Sequence, residues 1–230
     1  MQLSKRLLAV ANLAAAGHCL ADVGTDHGYI PIYLIEQGKF ECALAMDVNE
    51  GPLLRAEENR NLHGMEEKIQ LRLSDGVQAM KAGEADTVVI AGMGGGLVMK
   101  ILEEGEAVLG SVKALVLQPQ SELFRVREFL EKHAYRIEAE HMILEDGKYY
   151  PMMRVVHGEG ETMDPLEKQY GPLLLKEKHP CLWQFLCREE EVYQNIRQNL
   201  LRQTGEKAKE RLREVEAELQ SIQKAKERMA

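Results

Sequence analysis

Short apolar runs alternate with stretches of helical character from residue 18 to about residue 157. This alternation is typical of parallel β-strands that are connected by crossover helices. The predicted parallel strands are residues 19–23, 42–47, 69–73, 87–91 and 114–117. The predicted helices are residues 53–62, with Pro52 in the first turn, residues 97–109, and residues 121–133, with Ser121 as N-cap. The sequence therefore predicts an open α/β sheet.

Two extended runs, residues 135–145 and 148–157, follow the last of these helices and meet around Asp146-Gly147. Such a pair is typical of an antiparallel hairpin. Pro151 has no N–H for a central strand, so we expect the second strand to begin at Met152 or to carry a bulge there. Five parallel strands followed by a hairpin favour the Rossmann-like class I methyltransferase sheet over a plain dinucleotide-binding fold.

A segment containing Gly, Glu and Pro, residues 158–165, separates this sheet from a helical tail. Two apolar stripes at helical spacing lie in the tail. They comprise Leu186, Tyr193, Ile196 and Leu200, and then Ala208, Leu212, Val215, Leu219, Ile222 and Met229. Two helices broken near Thr204-Gly205 would pair as an antiparallel, coiled-coil-like hairpin. An ordinary helical pair packed on the body is the alternative.

Charge differs between the two parts of the chain. The formal net charge is −8 overall, and residues 161–230 hold 13 basic and 13 acidic residues, so the whole excess of acid lies in residues 1–160. An acidic body argues against a protein coated in basic charge, although it leaves room for a local basic patch. The 45% of hydrophobic residues suffices for a full core.

Several features indicate a soluble cytosolic protein. No apolar run approaches the roughly 20 residues that cross a bilayer. The four cysteines have no metal-ligand or CxxC spacing and are expected to be reduced. Residues 5–16 imitate a signal peptide, but Leu3, Leu7, Val10 and Leu13 recur at helical spacing behind Ser4, a suitable N-cap. An amphipathic first helix is the favoured interpretation.

The run Asp22-Val23-Gly24-Thr25-Asp26-His27-Gly28 comes directly after the first predicted strand. Glycines in such a turn let the backbone approach a ligand, and the helix that follows presents unpaired N–H groups. The G-x-G-x-x-G fingerprint of nicotinamide cofactors is not met. An acidic strand end before a glycine turn suits a ligand with an ammonium group, such as the methionine part of S-adenosylmethionine.

Two more aspartates end the next two strands. Asp47 is placed to accept hydrogen bonds from both ribose hydroxyls of a nucleoside cofactor, and Asp75-Gly76 could accept from an adenine amino group. Taken singly, either could be a capping residue, although Asn49 is better placed than Asp47 to cap the Pro52 helix. Three aspartates at the carboxyl ends of three consecutive strands converge on one crevice of an open sheet.

The fourth strand ends in the glycine-rich run Ala91-Gly92-Met93-Gly94-Gly95-Gly96. Glycine at this density costs stability unless another group must come close. A phosphate-binding loop is the rival interpretation, but no Gly-Lys-Ser/Thr follows. Gln118-Pro119-Gln120, after the fifth strand, supplies amide groups at the same edge. His27 has no second histidine at ligand spacing, so no metal is expected.

Five runs taken together are distinctive: LSKRL, ADVGTDHGY, GEAD with IAGMGGG, LQPQ and EDGKYY. They resemble the bacterial TrmK family of tRNA adenine-N1 methyltransferases over essentially the whole chain. The resemblance implies S-adenosylmethionine as methyl donor and adenine 22, in the D-arm and D-loop region of tRNA, as acceptor. Together with the separating segment and the change of charge, it predicts a methyltransferase domain over residues 1–160 and a helical domain over residues 161–230.

Site residues are assigned on this combined basis. The expected cofactor-binding residues are Asp22, Gly24, Thr25, His27, Gly28, Asp47, Val48, Asp75, Gly76 and Ala91. The expected catalytic residues are Asp26, Gly92 and Met93. The expected substrate-binding residues are Gly94, Gln118, Pro119, Lys5 and Arg6. For tRNA phosphates, Arg125, Arg127 and the basic residues of the tail are further candidates.

Adenine N1 carries a lone pair and no proton, so methyl transfer needs positioning rather than an obligatory general base. Asp26 is expected to accept from the base and to stabilise the cationic product, or else only to orient the cofactor turn. Alternatives are a methyltransferase for another RNA, a protein or a small molecule, and a non-enzymatic nucleotide-binding assembly module. A monomer or weak homodimer is expected.

Overall fold

The computed structural model describes residues 1–230, which cluster into two compact units, Met1–Thr162 and Met163–Ala230. The first unit is built on a seven-stranded sheet. Its strands are β1 (Cys19–Val23), β2 (Cys42–Asp47), β3 (Ile69–Leu73), β4 (Thr87–Met93), β5 (Ala114–Pro119), β6 (Tyr135–Glu145) and β7 (Lys148–His157). The predicted bounds of β1, β2, β3 and the hairpin are confirmed, and β4 and β5 each run two residues further than predicted.

The strand order is β3-β2-β1-β4-β5-β7-β6. The first five strands pair in parallel, and β7 pairs antiparallel with both β5 and β6. The predicted class I methyltransferase sheet with a terminal hairpin is thus confirmed. In this order the carboxyl ends of β1, β2 and β4 are neighbours, which brings the loops after them to one edge of the sheet.

Six helices accompany the sheet in the first unit. They are α1 (Lys5–Leu13), α2 (Tyr29–Glu36), α3 (Glu50–Leu62), α4 (Gly95–Glu104), α5 (Glu106–Leu109) and α6 (Leu123–Lys132). Alternate residues of the central strands face opposite layers: Val88 and Ile90 of β4 pack in one apolar cluster with residues of α4 and α6, and Val89 packs in another with residues of α1 and α2. The sheet is therefore covered on both faces, as parallel sheets require.

The prediction of one helix over residues 97–109 is wrong, because the chain breaks at Gly105 between α4 and α5. A Cβ at Gly105 would lie 2.4 Å from Val77 Cγ2 and 2.8 Å from the Ile101 carbonyl oxygen. Close packing at this point thus requires glycine, and glycine favours a break in the helix. Apolar residues keep a helical spacing on both sides of Gly105, so the sequence pattern did not indicate the break.

The predicted N-cap of α6 is also wrong. Glu122 occupies the N-cap position in the left-handed region, with φ +54°, and its side chain makes no capping hydrogen bond. Ser121 Oγ instead accepts from the N–H of Gly95, at 3.2 Å, so it satisfies a free amide at the start of α4. Ser121 therefore connects the start of α4 to the segment before α6, a contact that the sequence pattern does not indicate.

The predicted bulge or strand start near Pro151 is wrong as well. β7 begins at Lys148, and Pro151 stands opposite Met142 in unbroken register. β5 pairs only with residues 153–155 of β7, so at Pro151 the strand β7 has a paired neighbour on one side only, which is β6. A residue without an N–H is tolerated at such a one-sided position. The register shift of the hairpin falls between Ile137 and Ala139 of β6.

The second unit contains α7 (Pro165–Tyr170), α8 (Pro172–Lys176), α9 (Pro180–Leu200) and α10 (Glu206–Met229). The predicted break is confirmed, with Gly205 at the N-cap of α10. Ion pairs Arg197–Glu216, at 3.3 Å, and Lys226–Glu190, at 2.6 Å, show that α9 and α10 run antiparallel. The apolar stripes face inward, and Leu186, Val215, Ile222 and Met229 are buried. The two short helices α7 and α8 escaped prediction.

No helix has the length and apolar character that a bilayer-spanning segment requires. The four cysteines are free thiols. Burial raises the pKa of the Cys19 thiol to about 12, so this cysteine is a packing residue rather than a nucleophile.

Candidate active site

A cavity of about 280 Å³ opens at the carboxyl ends of β1 and β4, where an open α/β sheet is expected to bind its ligand. Its walls come from α1, from the turn between β1 and α2, from the end of β4 and from the loop after β5. The lining residues are Arg6, Leu7, Asp22, Gly24, Thr25, Asp26, His27, Tyr29, Ile30, Ala91, Gly92 and Gln120. The cavity thus unites eight of the residues that the sequence assigned to the site.

The turn after β1 is held tightly against β2. The carbonyl oxygen of Met46 accepts from the N–H of Gly24, at 2.8 Å, and from that of Thr25, at 3.0 Å. Gly24 has φ +72°, and a Cβ there would lie 2.3 Å from Met93 Cε. The backbone conformation therefore requires glycine at this position, whereas the flexible end of the Met93 side chain could move away from a Cβ.

Asp22 is a buried carboxylate at the end of β1. The Thr25 hydroxyl donates to Asp22 Oδ2 at 2.7 Å. The pKa of Asp22 is raised to about 6, mainly by burial; the hydrogen bond from Thr25 lowers it and the nearby charge of Asp47 raises it. A buried carboxylate with a raised pKa that faces a cavity is suited to bind a cationic group, since the cation would stabilise its charge.

Asp26 lies four residues after Asp22, in the turn between β1 and α2, and its backbone is in the left-handed region with φ +49°. Its Oδ1 accepts from Arg55 Nη2 of α3 at 2.5 Å, and its Oδ2 lies 3.5 Å from His27 Nε2. Asn59, one helical turn after Arg55, donates from Nδ2 to the carbonyl oxygen of His27 at 2.9 Å. One face of α3 therefore clamps the turn and keeps the Asp26 carboxylate, which is 56% exposed, at the cavity.

Another part of the cavity wall is formed at the end of β4. Gly92 adopts φ +81°, and its N–H donates to Gln118 Oε1 at 3.2 Å. The same oxygen accepts from Arg6 Nη1 at 3.0 Å, so Gln118, fully buried on β5, connects α1 to the glycine-rich strand end. The carbonyl oxygen of Met93 accepts from the N–H of Gln120 at 2.8 Å.

The other predicted aspartates lie beside the cavity rather than in its lining. Asp47 is buried and accepts from the N–H of Asn49 at 2.9 Å, while Asn49 occupies the N-cap position of α3 without a side-chain capping bond. Asp75 is half-exposed, 3.7 Å from Lys100 Nζ. The remaining assigned residues outside the lining are Lys5, Gly28, Val48, Gly76, Met93, Gly94, Gln118 and Pro119.

Arg127 corrects one of the expectations for the RNA-binding surface. Its side chain is only 1% exposed, and its Nη2 lies 3.0 Å from Glu140 Oε1, with Glu140 itself fully buried. This ion pair ties α6 to β6 in the interior, so Arg127 is not available to a phosphate. Arg125, two residues earlier, is exposed and paired with Glu122.

Several site residues were missed from the sequence. Tyr29 lines the cavity and stacks on the His27 ring at a centroid distance of 5.0 Å. Arg55, which lies 29 residues after Asp26 in the sequence, donates a hydrogen bond to the Asp26 carboxylate. Tyr29 directly follows the turn and could have been included for that reason, whereas nothing in the local pattern marks Arg55 or Ile30.

Groups of both charges line the cavity, namely the carboxylates of Asp22 and Asp26 and the guanidinium of Arg6. No group of three or more His, Cys, Asp or Glu side chains is arranged to hold a metal ion. Such a cavity can bind a ligand that carries an ammonium and a carboxylate.

Comparison with known proteins gives a consistent result. A family model described as TrmK, tRNA (adenine(22)-N(1))-methyltransferase, matches residues 20–224. A Bacillus subtilis tRNA (adenine(22)-N(1))-methyltransferase is 36% identical over 207 residues, which cover 86% of this chain and 87% of the relative.

Two solved structures extend the similarity to the fold. A Streptococcus pneumoniae protein in complex with S-adenosyl-L-methionine is 36% identical, with a TM-score of 0.87, and the match covers 97% of this chain and 99% of that one. The Mycoplasma capricolum TrmK in complex with S-adenosyl-homocysteine is 27% identical, with a TM-score of 0.85 and 99% of both chains covered.

Proposed function

The chain belongs to the TrmK family of tRNA (adenine(22)-N(1))-methyltransferases, and from that premise we propose how its own residues divide the reaction between cofactor and base. The enzyme methylates N1 of adenine 22 in tRNA with S-adenosylmethionine as cofactor. S-adenosylmethionine supplies the methyl group on a sulfonium that leaves as a neutral thioether. The remaining catalytic work falls to side chains of this chain.

The proposed cofactor site is formed by the ends of β1, β2 and β3. Asp22 binds the ammonium of the methionine end, because it is a buried carboxylate on the cavity wall. Asp47 accepts from the ribose hydroxyls, and Asp75 accepts from the adenine amino group. The strand order supports these two roles, since β2 and β3 lie side by side next to β1.

The proposed acceptor site lies at the end of β4, beside Gly92 and Asp26. The target base must leave its base pair to expose N1. Asp26 accepts a hydrogen bond from the amino group of that base and stabilises the positive charge that develops on it. The single observation that carries this role is the position of the Asp26 carboxylate in the cavity lining, held there by Arg55.

The test is the substitution Asp26→Ala in a single-turnover assay with a tRNA transcript. Loss of one preorganised electrostatic contact should lower the transfer rate by roughly 10²-fold, while the affinity for S-adenosylhomocysteine changes little. Asp146→Ala is a matched control, because Asp146 is also an exposed aspartate with positive φ, +48°, at the tip of the hairpin. An unchanged rate in the Asp26 variant would remove Asp26 from the mechanism.

We further propose that the loop end of the α9–α10 hairpin binds tRNA phosphates. Residues 195–213 hold six Lys or Arg and only two Glu, although the second unit as a whole is neutral. Arg197 and Arg211 have carboxylate partners, whereas Arg202 and Lys207 are exposed near the loop. A concentrated basic region on an acidic protein is the expected form of a local phosphate-binding surface.

The double substitution Arg202→Gln with Lys207→Gln tests this surface. If each residue neutralises one phosphate, the slope of log affinity against log salt should become shallower by nearly two. Lys176→Gln, an exposed lysine of α8, is the control and should leave the slope unchanged. An unchanged slope in the double variant would rule out the loop as a phosphate contact.

We also propose that the enzyme acts in the cytoplasm, as a monomer or weak homodimer.

A further inference from the structure

An open groove of about 750 Å³ runs along one side of the hairpin formed by α9 and α10. We infer that this groove binds the ribose edge of one strand of the tRNA, with glutamine amides contacting 2′-hydroxyls and Arg213 contacting a phosphate. This inference rests on the tRNA-binding role proposed for the loop end of the hairpin. It adds a second site, outside the loop, that recognises the sugar of RNA as well as its charge.

The groove follows one stripe of each helix. Gln194 and Gln198 lie one turn apart on α9, and Arg213 and Gln220 lie two turns apart on α10. On α10 the lining extends from Arg213 to Gln223, which is about 15 Å of helix. An open groove of this length suits an extended strand better than a compact small molecule.

The charges in the groove suit an anionic strand. Both carboxylates of the lining are already in ion pairs: Glu216 lies 3.3 Å from Arg197, and Glu190 lies 2.6 Å from Lys226. The guanidinium of Arg213 makes no ion pair and no hydrogen bond within the chain, and Arg213 is exposed. One cation is therefore left to bind a phosphate, which a guanidinium can do through two parallel hydrogen bonds.

Three glutamine amides of the groove are free as well. Gln223 donates to Glu227 at 3.1 Å, whereas the side chains of Gln194, Gln198 and Gln220 make no hydrogen bond within the chain. An amide both donates and accepts, and so does a 2′-hydroxyl. A-form RNA displays its 2′-hydroxyls along a wide, shallow groove that side chains can reach. The free amides therefore match the sugar edge of an RNA strand.

Few apolar groups line the groove. Ala217 and Leu219 are the only apolar residues of the lining, and Val215 and Ile222 of the same helix are buried. A peptide helix that docks in a groove uses a row of apolar contacts, which this groove does not offer. A polar, anionic strand is thus favoured over a protein segment as the occupant.

The test compares the affinities of two forms of one tRNA, with ribose throughout or with 2′-fluoro nucleotides throughout, which cannot donate from the 2′ position. Wild type should bind the ribose form about 5- to 100-fold more tightly, the value of about two hydrogen bonds. The triple substitution Gln194→Ala, Gln198→Ala and Gln220→Ala should bring this ratio close to one. Alanine is a better helix former than glutamine, so the triple variant should keep its fold.

Gln184→Ala is the matched control, because Gln184 is an exposed glutamine of α9 outside the groove, and it should keep the wild-type ratio. Arg213→Gln should weaken the binding of both RNAs alike and make the slope of log affinity against log salt shallower by nearly one. An unchanged slope in that variant would overturn the phosphate contact.

Equal affinity of wild type for the two RNAs, or an undiminished ratio in the triple variant, would overturn the ribose contacts. An undiminished ratio together with a changed sedimentation coefficient of the triple variant would overturn them in favour of a second copy of the chain in the groove. Failure of the proposed loop surface is a separate result, because it would appear as an unchanged salt slope in the double variant of Arg202 and Lys207.

Discussion

Asp22 should make the ligand-free protein less stable than it could be. Its pKa is raised from 3.8 to about 6, mainly by burial, so keeping the carboxylate ionised inside the fold costs free energy. The shift of about two units corresponds to about 3 kcal/mol at pH 7.5, at 1.36 kcal/mol for each unit. Asp22→Asn removes the charge and retains a side-chain oxygen that can accept from Thr25, so it should raise the free energy of unfolding by up to about that amount.

The pH dependence of this gain has a defined sign. Because the pKa of Asp22 is higher in the folded protein than in the unfolded chain, the folded protein binds more protons between about pH 4 and pH 6. The contribution of Asp22 to stability is therefore present at low pH and lost as the pH rises through about 6. The advantage of the variant should be about half as large at pH 5.0 as at pH 7.5.

Urea unfolding of wild type and Asp22→Asn at both pH values measures this, with Asp146→Asn as the control for an exposed aspartate. The same variant should bind S-adenosylhomocysteine about 10- to 100-fold more weakly at pH 7.5, because the ammonium loses its charged partner. A variant that is less stable than wild type at pH 7.5, or whose gain is equal at the two pH values, would refute the reasoning from burial. Retained affinity would refute the ammonium assignment.

Three further outcomes are expected. Arg127→Leu should lower the free energy of unfolding by about 3 to 5 kcal/mol in urea titrations, because it leaves Glu140 buried without its cation, and replacing both residues by apolar ones should restore most of the loss. Gly24→Ala should reduce cofactor affinity and stability together, since φ is +72°, where a residue with a Cβ is strained; a variant with normal calorimetric affinity would contradict the account of the turn. Asp47→Ala should weaken binding of S-adenosylhomocysteine by at least tenfold, and equal affinity would remove the ribose contact.

The fold was predictable because its signals are local. Each parallel strand is a short apolar run, and the loops at the carboxyl ends carry aspartates and glycines that the strand order alone brings together. The turn from Asp22 to Gly28 could be placed at the cavity because its position after the first strand fixes its place in the sheet.

The contacts that hold the site are not local, and for that reason the sequence did not reveal them. Arg55 looks like any exposed helix residue until α3 lies against the turn and brings it to Asp26. Arg127 looks like a surface cation until α6 places it against Glu140. Ser121 matches the N-cap pattern of its own helix, yet it bonds to Gly95 of another, because the competing amide lies closer in space.

The hydrogen bonds from Lys5 and Arg6 to Glu145 join residues about 140 positions apart, and this has a consequence for synthesis on the ribosome. The first helix leaves the exit tunnel long before its partner hairpin has been translated. At roughly 5 to 20 residues per second, α1 must wait on the order of 10 to 30 s for that partner. During this interval Val10 and Ala11, fully buried in the finished protein, lie on a nascent helix that has no hairpin to dock on. The nascent chain is thus expected to expose an apolar helix that a ribosome-associated chaperone could bind, and to complete the wall of the cavity only after residue 157 has emerged.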